Sequence, residues 1–161
     1  MKITIPEHYK IVSATPGPVT TNGGVTLDYV SLKNCLMAWI ILHFTQAEGH
    51  ATGFDPKQAT AVAGTGVKVF AKTLPFWLNE DVALTDTLVR GTDAITMDLA
   101  ATVKKKLLVV QVDPTKLDGA NSFDVLGGAI DDSSQATNFV SGLYLLETTY
   151  AQATPPSAIV D

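Results

Sequence analysis

Leu36-Met37-Ala38-Trp39-Ile40-Ile41-Leu42-His43-Phe44 contains the longest apolar run of the chain, Leu36 to Leu42, and its reading decides the fold. Seven residues are far short of the ~20 that a bilayer-crossing helix needs, so no transmembrane segment is expected. Two isoleucines, Trp39 and Phe44 favour a pleated strand over the rival helix of the same length. Because the run is apolar on both faces, it is expected to be a central strand covered from both sides.

Working outward from this strand, Ser31-Leu32-Lys33-Asn34 offers a turn before it. Earlier still, Val25, Leu27 and Tyr29 alternate with Thr26, Asp28 and Val30, the period-2 signature of a sheet. Downstream, Thr45 to Gly66 is small and polar, punctuated by Gly49, Gly53, Asp55-Pro56, Gly64 and Gly66. Loops are expected there, with one short element around Gln58 to Val62. Further strands are expected over 67–71, over 74–78 with a proline at its start, and in short pieces on either side of the turn Gly91-Thr92-Asp93. Leu107 to Val112 reads as a strand with Lys104-Lys105-Lys106 at its solvated mouth, a charged run of the kind that guards a sheet edge. Asp113 caps one helical turn with Pro114 at its first position. Phe123 to Ile130 and Asn138 to Tyr150 complete roughly eight strands by this pattern.

The composition agrees. Twenty threonines stand against four glutamates and one arginine, Arg90, a balance that favours strands over helices. The fold class expected is all-β: a single β-sandwich or jelly-roll-like domain spanning 25–150. It carries an extended N-terminal arm, 1–24, rich in proline and glycine, and a C-terminal tail, 151–161, holding Pro155-Pro156. Within the N-terminal arm, Tyr9-Lys10-Ile11-Val12 is suited to add an edge strand to the body or to a neighbouring subunit. With 161 residues, 46% hydrophobic and 17% charged, the chain is long enough and apolar enough for one well-packed core. Met1 to Pro6 does not read as a secretory signal, so a cytosolically made mature chain is expected.

Eleven basic residues against sixteen acidic ones give a net charge of −5, which opposes nucleic-acid binding. A single cysteine, Cys35, rules out an internal disulfide and a cysteine-based zinc site. His43 and His50, seven apart, read as a strand residue and a loop residue; no metal or other cofactor is expected. The acidic groups 79–81, 118–121 and 131–134 read as turns whose side chains bond their own backbone. Cys35 or Ser31 with His43 is the only nucleophile-base pairing to consider, and eight to twelve residues of strand and turn separate the members. No enzyme is expected. Phe76 and Trp77, beside a proline and an acidic turn, suit core or subunit-interface burial, with a sugar-stacking platform as the rival use.

The order of four segments carries a resemblance: 23–34 (GGVTLDYVSLKN), Ala38-Trp39-Ile40-Ile41, 131–138 (DDSSQATN) and 150–156 (YAQATPP). In this order the chain resembles small structural proteins encoded among the virion genes of tailed bacteriophages, over Tyr9 to the end. The resemblance implies a capsid decoration protein on the virion head, made in the host cytoplasm. Its partners would be the major capsid protein and copies of itself as a dimer or trimer, with no membrane. It implies intersubunit contacts through Tyr9, Ile11, Val12, Phe76, Trp77, Pro155, Pro156 and Ile159. The alternatives are a tail-associated structural protein and a carbohydrate-binding β-sandwich for adhesion to the host surface.

Overall fold

The computed structural model describes residues 5–154 and 157–159. Its strands, in chain order, are β1 (Tyr9–Ser13), β2 (Val19–Thr20), β3 (Val25–Thr26), β4 (Val30–Ser31), β5 (Cys35–Thr45), β6 (Thr52–Ala59) and β7 (Lys68–Val69). They are followed by β8 (Phe76–Asn79), β9 (Val89–Arg90), β10 (Met97–Leu99), β11 (Lys105–Val112), β12 (Val125–Ile130) and β13 (Phe139–Thr148). One helical turn, α1 (Ile5–His8), precedes β1. The strands form two antiparallel sheets. The first runs β1-β13-β5-β11-β8-β9, with β2 also on β13; the second runs β10-β6-β12-β3, with β4 on β12 and β7 on β6. The chain is a β-sandwich.

The sandwich closes because alternate residues of the long strands are apolar. Ala38, Ile40, Leu42 and Phe44 of β5, Leu108, Val110 and Val112 of β11, and Val140, Tyr144 and Leu146 of β13 all point inward. Phe54, Met97, Leu99, Leu126 and Ile130 of the second sheet meet them in one buried cluster. Each large side chain so buried contributes roughly 1.5–3 kcal/mol. The phenol tip of Tyr144 is satisfied, since its Oη donates to Asp28 O at 2.8 Å, and burial pushes it far above the usual value. Gly127 and Gly128 in β12 are where the second sheet makes room. A Cβ at the first would meet the Tyr29 ring at 2.4 Å, and at the second the Phe54 ring at 2.4 Å.

Three expectations need correction. β5 is central, paired with β13 and β11, but only one of its faces is covered, and the other forms the outside of the molecule. The polar stretch after Thr45 holds the eight-residue strand β6, running through Gly53 and Pro56. Proline is tolerated there because β10 pairs with 52–54 and β7 with 57–58, leaving no ladder partner beside Pro56 on that side. Lys104 to Lys106 guards no edge: β11 lies between β5 and β8, and Lys106 falls on its inward face, fully buried. Tyr9 to Val12 of the N-terminal segment adds an edge strand to the body, one of the two placements expected of it: β1 pairs along its length with β13, and Ala14, Thr15 and Thr21 beyond it are buried. The tail also returns to the body: Gln152 N donates to Glu7 O, and buried Ala158 accepts from Ser31 N at 2.6 Å.

Elsewhere the turn chemistry follows the residues. Asp113 Oδ1 accepts from Thr115 N at 2.8 Å and caps a short 3-10 turn, Pro114–Lys116. Asp132 Oδ1 accepts from Ser134 N and Gly23 N, both at 2.6 Å, Asn79 Oδ1 from Asp81 N, and Asp118 from Asn121 Nδ2.

Candidate interaction surface

The outer face of the first sheet can be read row by row from the strand registers. One row across the strands is Ser13, Leu143, Ile41, Val109, Trp77 and Arg90. The next is Ile11, Leu145, Trp39 and Gln111, and beyond it Tyr9, Glu147 and Met37. On the other side lie Ser141, His43, Leu107 and Asn79, then Phe139, Thr45 and Lys105. The centre of this face is therefore Trp39, Ile41, Leu143, Leu145, Leu107 and Val109, with no charge among them. All six are half-buried, as neighbours on one pleated surface are, and no described segment lies over them as a further layer. Tyr9 extends the patch toward the β1 edge, its ring 6.2 Å from that of Trp39 and tilted by 53°.

The residues expected to make contacts divide between this face and other places. Tyr9, Ile11 and Trp77 are on it, and Ile11 is 59% exposed at the free edge strand. Val12 points the other way and packs against the core. Phe76 also turns inward, and its ring lies so close to Gly91 that a Cβ there would overlap it at 2.2 Å. Trp77 carries the Arg90 guanidinium 5.0 Å from its ring centroid, so one side of the indole is already occupied by a cation rather than left open for a sugar. Ile159 is half exposed beside the buried Ala158, and Pro155 and Pro156 lie outside the described residues.

No protein-family model matches the chain, and no curated protein matches it. Among solved structures, the chain is similar to chains in structures of infectious bursal disease virus. For the Gx strain the identity is 12% and the TM-score 0.21; for the Gt strain they are 14% and 0.18. Both alignments cover 92% of this chain and 42% of the viral chain, so it spans less than half the length of either. Scores of this size carry no argument about function.

Beside the face, a cleft of about 550 Å³ opens under the β8–β9 hairpin, walled by Phe76, Leu78 and Val89 with Glu80, Asp81, Arg90 and Asp98 at its rim. Two of its three acids are engaged in ion pairs: Glu80 with Lys106 at 2.8 Å and Asp81 with Lys104 at 2.7 Å. The hairpin loop beyond it exposes Leu84, Leu88 and Val89.

Cys35 and His43 stand at opposite ends of β5, roughly 26 Å apart at the rise of an extended strand, and do not meet. Ser31 is in the other sheet, on β4. Burial pushes the Cys35 thiol up to about 11, against a smaller opposing pull from Lys10, so it is a thiol rather than a thiolate at neutral pH. Among the described residues no three His, Cys, Asp or Glu side chains converge as metal ligands would. The sequence reading missed Trp39 and Ile41 as surface residues. Their signal was the double-sided hydrophobicity of β5, attributed there to a second covering layer.

Proposed function

We propose that this chain is a virion structural protein of the tailed-phage kind, a capsid decoration protein that binds the major capsid protein on the head surface and strengthens the shell by contact alone. The observation that carries this reading is the uncharged face formed by Trp39, Ile41, Leu143, Leu145, Leu107 and Val109 on the outside of a sheet, which marks a molecule built to be buried against other protein chains, its own copies among them. Contiguous apolar patches of this kind mark surfaces meant for another protein, since leaving them in water wastes their burial free energy. A body with few charges buries strand faces against partners at low desolvation cost, and repetition over a symmetric shell turns a modest affinity per copy into firm attachment. Purified protein added to undecorated heads is expected to sediment with them and to raise the temperature at which they release their contents. Heads that neither bind it nor gain thermal or osmotic resistance in its presence would refute the cementing role.

A further inference from the structure

We infer that the outer face of the first sheet is covered by a second copy of this chain, packed face to face about a two-fold axis that runs across the strands near Ile41. This rests on the preceding reading that the molecule works through protein contacts, and it names the occupant of the apolar face.

Size is the first argument. Five strands at ~4.8 Å spacing and the eight-residue span from Met37 to Thr45 at ~3.3 Å per residue make a plane of about 600 Å², before side-chain relief is added. Stable interfaces bury ~800 Å² per partner, whereas the largest apolar patches on ordinary monomers are ~300–600 Å² over their whole relief. The face is thus of the class that a dimer of sandwiches requires.

Charge is the second. In a two-fold contact every group meets a member of its own set, so a charged centre would repel itself. Here the centre is neutral and opposite charges stand at opposite corners. Glu147 lies beside Met37, four residues before Ile41 and on the β13 side; Lys105 lies beside Thr45, four residues after Ile41 and on the β11 side. Neither is committed to an ion pair among the described residues. A two-fold axis across the strands, tilted slightly so that it bisects these corners, brings Glu147 of each copy over Lys105 of the other. The same operation sets Ile41 near its counterpart and Trp39 near Leu107 of the second copy. It also leaves the strands of the two faces inclined at a modest angle, compatible with the ~30° of aligned sheet packing. Two ion pairs at the rim fix the register, while the aliphatic and indole surfaces between them supply the affinity.

The test is the oligomeric state of the full chain by sedimentation equilibrium. The wild type is expected to be a dimer at micromolar concentration. Glu147→Lys and Lys105→Glu are each expected to weaken it about tenfold, and the double exchange to restore the wild-type constant to within about threefold. Ile41→Glu is expected to abolish the dimer while leaving the thermal melt cooperative, because Ile41 does not face the core. A monomeric wild type at 100 micromolar or so, or a dimer indifferent to Ile41→Glu and to the charge exchange, would overturn the inference. Binding to heads is scored separately. A monomer that still coats heads overturns only the dimer, and a dimer of the expected kind that ignores heads overturns only the decoration reading.

Discussion

Lys106 is wholly enclosed between the sheets, and its ammonium lies 2.8 Å from a Glu80 carboxylate oxygen whose own side chain is 41% exposed. The lysine also donates to Ala100 O, and Glu80 Oε1 accepts from Ala100 N at 3.3 Å. Lys106 and Glu80 belong to the first sheet and its margin, and Ala100 follows β10 of the second. The three groups clasp one end of the sandwich. Removing one partner of a buried pair costs ~3–5 kcal/mol when the remaining charge is left dry. Glu80→Ala leaves the wholly enclosed ammonium with only a carbonyl, whereas Lys106→Met leaves a carboxylate whose Oε2 is buried but whose side chain is 41% exposed and whose Oε1 keeps Ala100 N. Chemical denaturation is expected to show Glu80→Ala as the more damaging of the two, and the reverse order would contradict the clasp.

Asn138 is buried where β13 begins. Its Oδ1 accepts from Ala47 N and Glu48 N, both at 2.8 Å, and its Nδ2 donates to Glu48 O at 3.0 Å. It thereby ties the β5–β6 turn to β13. Asn138→Ala orphans two amide donors and a carbonyl, and is expected to cost about 2–4 kcal/mol in urea unfolding with an unchanged denaturant slope. Asn138→Asp keeps the acceptor and should cost less.

Backbone amides of Gly23 and Ser134 hold the Asp132 carboxyl below the usual carboxylate range. Asp81 beside Lys104, Asp113 at its cap and Asp118 beside Lys68 move in the same direction. A carboxyl depressed in the folded state adds stability that is fully present above its unfolded value of ~3.9 and is lost as pH falls through that value toward the folded one. The unfolding midpoint should therefore be flat above about pH 5 and drop below about pH 4. Asp132→Asn is expected to lower the midpoint at neutral pH and to converge on the wild type in acid, so that the drop is flattened, and an unaltered acid limb would contradict the assignment.

With the Cys35 thiol pushed up to about 11, roughly a thousandth of it is ionised at pH 8. Disulfide reagents should label the native protein slowly at that pH and the urea-unfolded protein at least tenfold faster. Rapid native labelling would show that Cys35 is not held as the structure places it.

The class of fold was legible because β5, β11, β12 and β13 carry their hydrophobicity in strand-length pieces bounded by turn residues. The outer face was written in the same residues, yet period-2 hydrophobicity states only that both sides of β5 shun water, not whether the second side is covered by this chain. Lys106 was hidden by its two charged neighbours, although it is in phase with Leu108, Val110 and Val112, and that phase alone assigns it to the interior. Strand β6 was obscured by Pro56 and Gly53, which locally read as loop. Only knowledge of which ladders stop short of Pro56 makes it a strand. The N-terminal segment read as an arm because its strand-like residues, Tyr9 to Val12, are few among prolines and glycines, and their partner is most of the chain away.

That distance has a consequence for biogenesis. Thr148 Oγ1 donates to His8 O across 140 residues of sequence, and β13, which lies between β1 and β5, is made after every other strand among the described residues. While the ribosome is still extending the chain, β1 has no neighbour to join and one flank of β5 stays unzipped. Folding is therefore expected to wait for β13 and to be slow, in the millisecond-to-second regime typical of long-range β topologies. Nascent chains stalled before residue 139 should be open to proteases that the released protein resists.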